Sequence, residues 1–274
     1  MHRKFLPVFS LDWYGLLKKL QNIEGEYGIL APIHCNNNLL IKIRQMDKPF
    51  FIDNGVFNQD EEPWYSQVHC EFINNRWVRD VRLADEKQLR QKIQTYLHRC
   101  DRFSPDYVFA YDIFGEPILS LHIARLSWEE YWRKSRTYML IGVVQVGTVL
   151  YNWPEQPVPS KDALLPHYTT PKSFLTSLIS AYRAIGYQHI ALGGLLKTDK
   201  SKTTGLKFGL SATELDELLT WSRPEFVLGG LALSRMEILK KHNVWADSTN
   251  WLWWDSRYDW QRFGNRNVLQ EILQ

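Results

Sequence analysis

Six positions in this 274-residue chain place residues suited to chemistry where short apolar runs end. Asp53 follows Phe-Phe-Ile in "PFFIDNG" (49–55), and Asp112 follows "VFAY" in "DYVFAYDI" (106–113). Gln145 lies late in "MLIGVVQV" (139–146), Gly193–Gly194 end "HIALGGL" (189–195), and Gly229–Gly230 end "EFVLGGL" (225–231). Asp247 sits in "VWADSTN" (244–250) and is followed at once by Ser248, Thr249 and Asn250. A buried strand excludes an acid unless it is paired or hydrogen-bonded. Two acids brought together can divide a displacement between a nucleophile and a proton carrier. An amide side chain and glycine backbone can then stabilise a departing anion.

Each residue also has a purely structural explanation. Asp53 in Asp-Asn-Gly can form a turn, and Asp112 can cap the helix that follows it. Gln145 can satisfy a backbone group, the Gly pairs can serve packing, and Asp247-Ser248-Thr249 can make a local turn. These explanations are mutually independent and do not predict that the residues share an edge.

The elements around them do predict it. Strands are expected at 4–10, 27–33, 49–55, 106–113, 139–146, 189–195, 225–231 and 244–250, as apolar runs bounded by turn signals. Helical patterns fall near 12–22, 86–100, 118–135, 171–186, 211–222 and 234–242. Eight strands alternating with helices favour one domain over 1–274, an α/β fold of the (β/α)8 TIM-barrel type. Residues 58–82 break the rhythm after the third strand and predict an inserted hairpin around Asn74–Asn75. Residues 151–170 are Pro-rich and predict a long loop. In such a barrel the carboxyl ends of all strands open at one face, so the six positions converge on one pocket.

Composition narrows the class further. A hydrophobic share of 45% and no long apolar run exclude a membrane span. Cys35, Cys70 and Cys100 are scattered, forming neither a disulfide framework nor a zinc motif. With no leader sequence in "MHRKFLPVFSLDWYG", a cytoplasmic setting is expected, without metal or cofactor. A net charge of +3 permits nucleic-acid binding without requiring it.

The segments "FFIDNGVFN", "DYVFAYDIFGEP", "LIGVVQVG", "HIALGGLLK" and "VWADSTNW" resemble, in order, the tRNA-guanine transglycosylase superfamily over about residues 49–255. "ALGGL" (191–195) is the most specific piece; "DNGVF" departs from that family's "DSGGFQ", and Val146 stands where the family has Gly. The resemblance implies that Asp247 is the nucleophile at ribose C1′ and Asp53 the general acid/base. It implies that Asp112 reads the N1–H and N2–H₂ edge of guanine. Gln145 and the Gly194 backbone would meet O6, Gly193 and Gly194 would let the base lie close against the backbone, and Leu195 would lie near the substituent of the incoming base.

Members acting on tRNA carry a Cys/His zinc site after the nucleophile, and this sequence has no Cys beyond Cys100. The chain is therefore more similar to the zinc-free paralogues that place 7-deazaguanines into DNA. That likeness implies DNA ahead of tRNA as substrate, a 7-deazaguanine base as second substrate, and an accessory ATPase as an open question. Lys197, Lys200, Lys202 and Lys207 after the sixth strand, with Arg257, Arg262 and Arg266, are candidates for phosphate contact. Trp64, Trp77, Trp251 and Trp253 are candidate stacking platforms. The alternatives are a tRNA-acting enzyme, a nucleoside or glycoside hydrolase using the same carboxylates, and a binding module on an inactive barrel.

Overall fold

The protein is described by a computed structural model. It describes residues 4–11, 17–18, 20–21, 23–55, 85–113, 117–146, 171–195 and 212–248, with the backbone of strands 65–73 and 76–83 (backbone alone at 171 and 233). Eight strands close into a parallel barrel: β1 (Pro7–Ser10), β2 (Gly28–Pro32), β3 (Phe50–Asp53), β6 (Tyr107–Phe109), β7 (Met139–Gln145), β8 (His189–Gly193), β9 (Phe226–Val227) and β10 (Trp245–Ser248). Going round the barrel the order is β1-β2-β3-β6-β7-β8-β9-β10, and β10 pairs back onto β1 through Val8 and Asp247. Every barrel pairing is parallel. The expected barrel is therefore present, and each of its eight strands falls within a run read from the sequence.

Between β3 and β6 the chain makes β4 (Tyr65–Ile73) and β5 (Arg76–Leu83), an antiparallel pair in its own sheet that ends with Ile73 opposite Arg76. This is the hairpin expected after the third strand. The helices are α1 (Asn37–Arg44), α2 (Glu86–Phe103), α3 (Pro117–Trp132), α4 (Pro171–Ile185), α5 (Ala212–Ser222) and α6 (Met236–His242). The sequence reading assigned no helix at α1. Its two turns open in a run of Asn that resembles a loop, yet Asn36 caps it by accepting the Asn38 N–H at 2.8 Å, and Leu39, Leu40 and Ile43 are buried. The expected helix at 12–22 and the loop at 151–170 lie largely or wholly outside the described residues.

Two apolar layers hold the barrel. The outer one lies between strands and helices. The inner one fills the barrel with Val8, Leu30, Phe51, Phe109, Ile141, Val143, Ala191 and Phe226. Phe226 packs against Phe109 at 4.9 Å and Phe51 at 5.4 Å between ring centroids. Each such ring contributes on the order of 2–3 kcal/mol by leaving water. Side chains alternate across a strand, so the residue two positions after an inward one also faces inward. Val8 is followed in this way by Ser10, Phe51 by Asp53, Val143 by Gln145, Ala191 by Gly193 and Trp245 by Asp247. The barrel interior is thus apolar below and polar at its carboxyl mouth.

Candidate active site at the barrel mouth

At the closing seam, Asp247 is 7% exposed and accepts two hydrogen bonds, from Ser10 Oγ at 2.8 Å and from the Gly229 N–H at 2.6 Å. Its own carbonyl accepts the Leu231 N–H at 3.0 Å, tying the turn after β9 to β10. Gly229 has φ of 64°, a left-handed conformation natural to glycine, and this aims its N–H at the carboxyl. The donors come from β1 and the β9 turn, so the seam itself fixes the carboxyl's orientation.

Across the mouth, Asp112 follows β6 and is also 7% exposed. One carboxyl oxygen accepts Asn54 Nδ2 at 2.9 Å and the other accepts Gln145 Nε2 at 2.5 Å. Asn54, itself 2% exposed, also donates to the Ala110 carbonyl at 3.3 Å. The segment is braced from outside: Tyr96 donates to the Phe109 carbonyl at 2.8 Å, and Ser120 Oγ meets both the N–H and carbonyl of Ile113. Gln145 and Gly193 are register partners on β7 and β8. A Cβ at Gly193 would lie 2.6 Å from Gln145 Nε2, so glycine is what lets the amide reach Asp112.

Asp53, half-buried at the end of β3, links the two sides. Burial raises its pKa, while the Gly55 and Asn54 backbone N–H groups and the His34 imidazole pull it down. Burial likewise raises Asp247 to about 6, against the opposing Gly229 and Ser10 hydrogen bonds, and the Asp53 charge pushes it further up. Asp112 is raised to about 7 by burial, with Asn54 and Gln145 opposing and Asp53 again adding to the rise. The Asp53 charge thus acts on both other acids in the same direction as burial, which is the larger cause for each. Burial raises all three carboxyls at the mouth, the kind of environment that separates acid and base roles among neighbouring carboxyls.

The structure brings Asp53, Asp112, Gln145, Gly193 and Asp247 to one rim. Gly194 follows Gly193 there and is buried. Leu195 is fully buried in the layer between strands and helices, and its carbonyl accepts Arg235 Nη1 at 2.9 Å. Lys197, Lys200, Lys202, Lys207, Arg257, Arg262, Arg266, Trp64, Trp251 and Trp253 lie outside the described residues, and Trp77 is described only as backbone in β5. Ser10, Asn54, His34 and Arg235 belong to the site or its support, and no reading of the sequence singled them out. Ser10 was within reach of the rule that placed the others, because it ends the first strand on the inward row. Asn54 was absorbed into the turn chemistry of Asp-Asn-Gly.

Among the described residues, no group of three or more His, Cys, Asp or Glu side chains is placed to hold a metal ion. Among the same residues no helix is long and apolar enough to cross a membrane. Fold and site together define a (β/α)8 barrel with an acid-lined mouth. No protein-family model matches the chain, and no curated protein matches it.

Proposed function

We propose that this protein is a base-exchanging transglycosylase that replaces guanine in DNA with a 7-deazaguanine through a covalent Asp247–sugar intermediate. The observation that carries the reading is Asp247, buried at the carboxyl mouth of the barrel and held there by Ser10 and Gly229 at the closing seam. The choice of guanine, of 7-deazaguanine and of DNA rests on the resemblance of the five segments.

In the first displacement an Asp247 oxygen bonds to C1′ as the C1′–N9 bond breaks, and Asp53 gives its proton to the departing base. In the second, N9 of the incoming base bonds to C1′, its proton passes to Asp53, and Asp247 leaves. Two inversions return the original configuration, and no water is consumed. Asp112 accepts from N1–H and N2–H₂ of the base, each of its oxygens having a lone pair beyond the one that an amide occupies. Gln145 and the Gly194 N–H meet O6, where charge develops as the base departs. The target nucleotide must leave its stack to reach this depth.

Incubation with labelled guanine and either DNA or tRNA tests the reading. Label is expected in DNA, through an adduct that Asp247→Ala abolishes while the variant stays folded. Label in tRNA alone removes the DNA assignment, and release of free base without incorporation makes the protein a hydrolase. An adduct persisting in Asp247→Ala moves the nucleophile elsewhere.

A further inference from the structure

On the outer side of Asn54 a cleft of about 590 Å³ separates the strand ends from α2. Its floor is Ile33, Asn54 and Tyr111, just beyond β2, β3 and β6. Its wall is one face of α2, where Gln88, Gln91, Lys92, Thr95 and Arg99 recur at helical spacing. From Gln88 to Arg99 that face runs roughly 16 Å along the helix axis. All five wall side chains carry hydrogen-bond donor groups, two are cations, and no carboxylate is among the described lining residues.

The Arg99 guanidinium is oriented by the Cys35 carbonyl at 3.0 Å and Asn37 Oδ1 at 3.2 Å, a fixed fork rather than a free surface cation. Burial pulls the Lys92 ammonium down from its ordinary pKa, so this cation is partly withdrawn from water at the cleft wall. Asn54 lines the cleft and also donates to Asp112, so cleft and mouth share one wall.

We propose that this cleft holds the phosphodiester backbone of the nucleic-acid strand whose nucleotide enters the barrel mouth. A donor-lined wall of that length exceeds what one phosphate needs and suits successive phosphates. The proposal rests on the transglycosylase reading for its choice of strand, and its binding test does not depend on catalysis.

The test is the affinity of the full chain for a fluorescein-labelled single-stranded DNA across a salt series. Lys92→Gln is expected to weaken binding and to reduce the log–log salt slope by about 0.7, one phosphate contact on a single strand. The double variant Gln88→Glu, Gln91→Glu sets like charge against the backbone and is expected to weaken binding about tenfold or more. Lys134→Gln makes the same charge change beyond α3, at the barrel's opposite end, and is expected to change nothing. Thermal unfolding of each variant at the parent's temperature shows that the fold is kept.

Equal effects of Lys92→Gln and Lys134→Gln overturn the proposal, as does a parent that binds no oligonucleotide. Competition by inorganic phosphate as effective as by an unlabelled strand assigns the cleft to a free anion and also overturns it. Lys92-dependent DNA binding with no guanine incorporation leaves the cleft standing and removes the transglycosylase reading. Incorporation into DNA with Lys92-independent affinity does the reverse.

Discussion

Asp247 has two good hydrogen-bond donors and is still pushed up to about 6, because removal from water outweighs what Ser10 and Gly229 return. An unfolded aspartate releases its proton near pH 4. Between those values the folded chain holds a proton that the unfolded chain has lost, so this residue's contribution to stability falls as pH rises through that window. Asp247→Asn removes the ionisation and keeps the geometry: its oxygen accepts from Gly229 and its amide donates to the Ser10 hydroxyl. The variant is expected to be more stable than the parent at pH 8 by about 1–3 kcal/mol, two pK units at most. The difference should shrink to near zero at pH 4. Urea unfolding at the two pH values measures it, and an Asn variant equal to or weaker than the parent at pH 8 contradicts the account. Gain of stability with loss of exchange is the pattern expected where an acid is kept buried for chemistry.

Strand ends decide which side chains meet. The mouth forms because the inward rows of β1, β3, β7 and β10 change from apolar to polar at their last position, at Ser10, Asp53, Gln145 and Asp247, and Gln145 beside Gly193 shows how tightly the rows are matched. Gly193→Ala places a methyl 2.6 Å from Gln145 Nε2 and displaces the amide from Asp112. Loss of that buried bond is expected to weaken binding of free guanine about tenfold or more, with the barrel still folded. Calorimetric titration of the base reads this directly; unchanged affinity sinks the role given to the amide. The strands were legible because buried parallel strands are continuous apolar runs between turn signals, and acids at their ends stand out against such a background. What escaped had no contrast of that kind. Ser10 and Asn54 are small polar residues of ordinary loop chemistry, α1 is only two turns and opens on Asn residues, and Arg235 matters through Leu195, forty positions away in sequence. Only closure of the barrel gives these residues their partners.

At the scale of the whole molecule, the long-range pairings that define the barrel all lie outside the hairpin. Among the described strands β4 and β5 pair only with each other, and β5 touches the barrel layer through α3. The hairpin leaves the chain between Asp53 and the start of α2, so it emerges beside the mouth and the cleft rather than beneath the core. An insertion of this kind adds little to the closure of the barrel, since loop length enters stability only logarithmically. Replacing residues 58–83 with a short Gly/Ser linker is therefore expected to keep far-UV circular dichroism of an α/β protein and a single cooperative transition, with Tm moved by a few degrees at most. A broadened or lost transition would make the hairpin part of the cooperative unit. If the transition survives while DNA affinity falls and affinity for free guanine does not, the molecule divides by function. The barrel mouth then handles the base, and the hairpin side of the rim handles the strand.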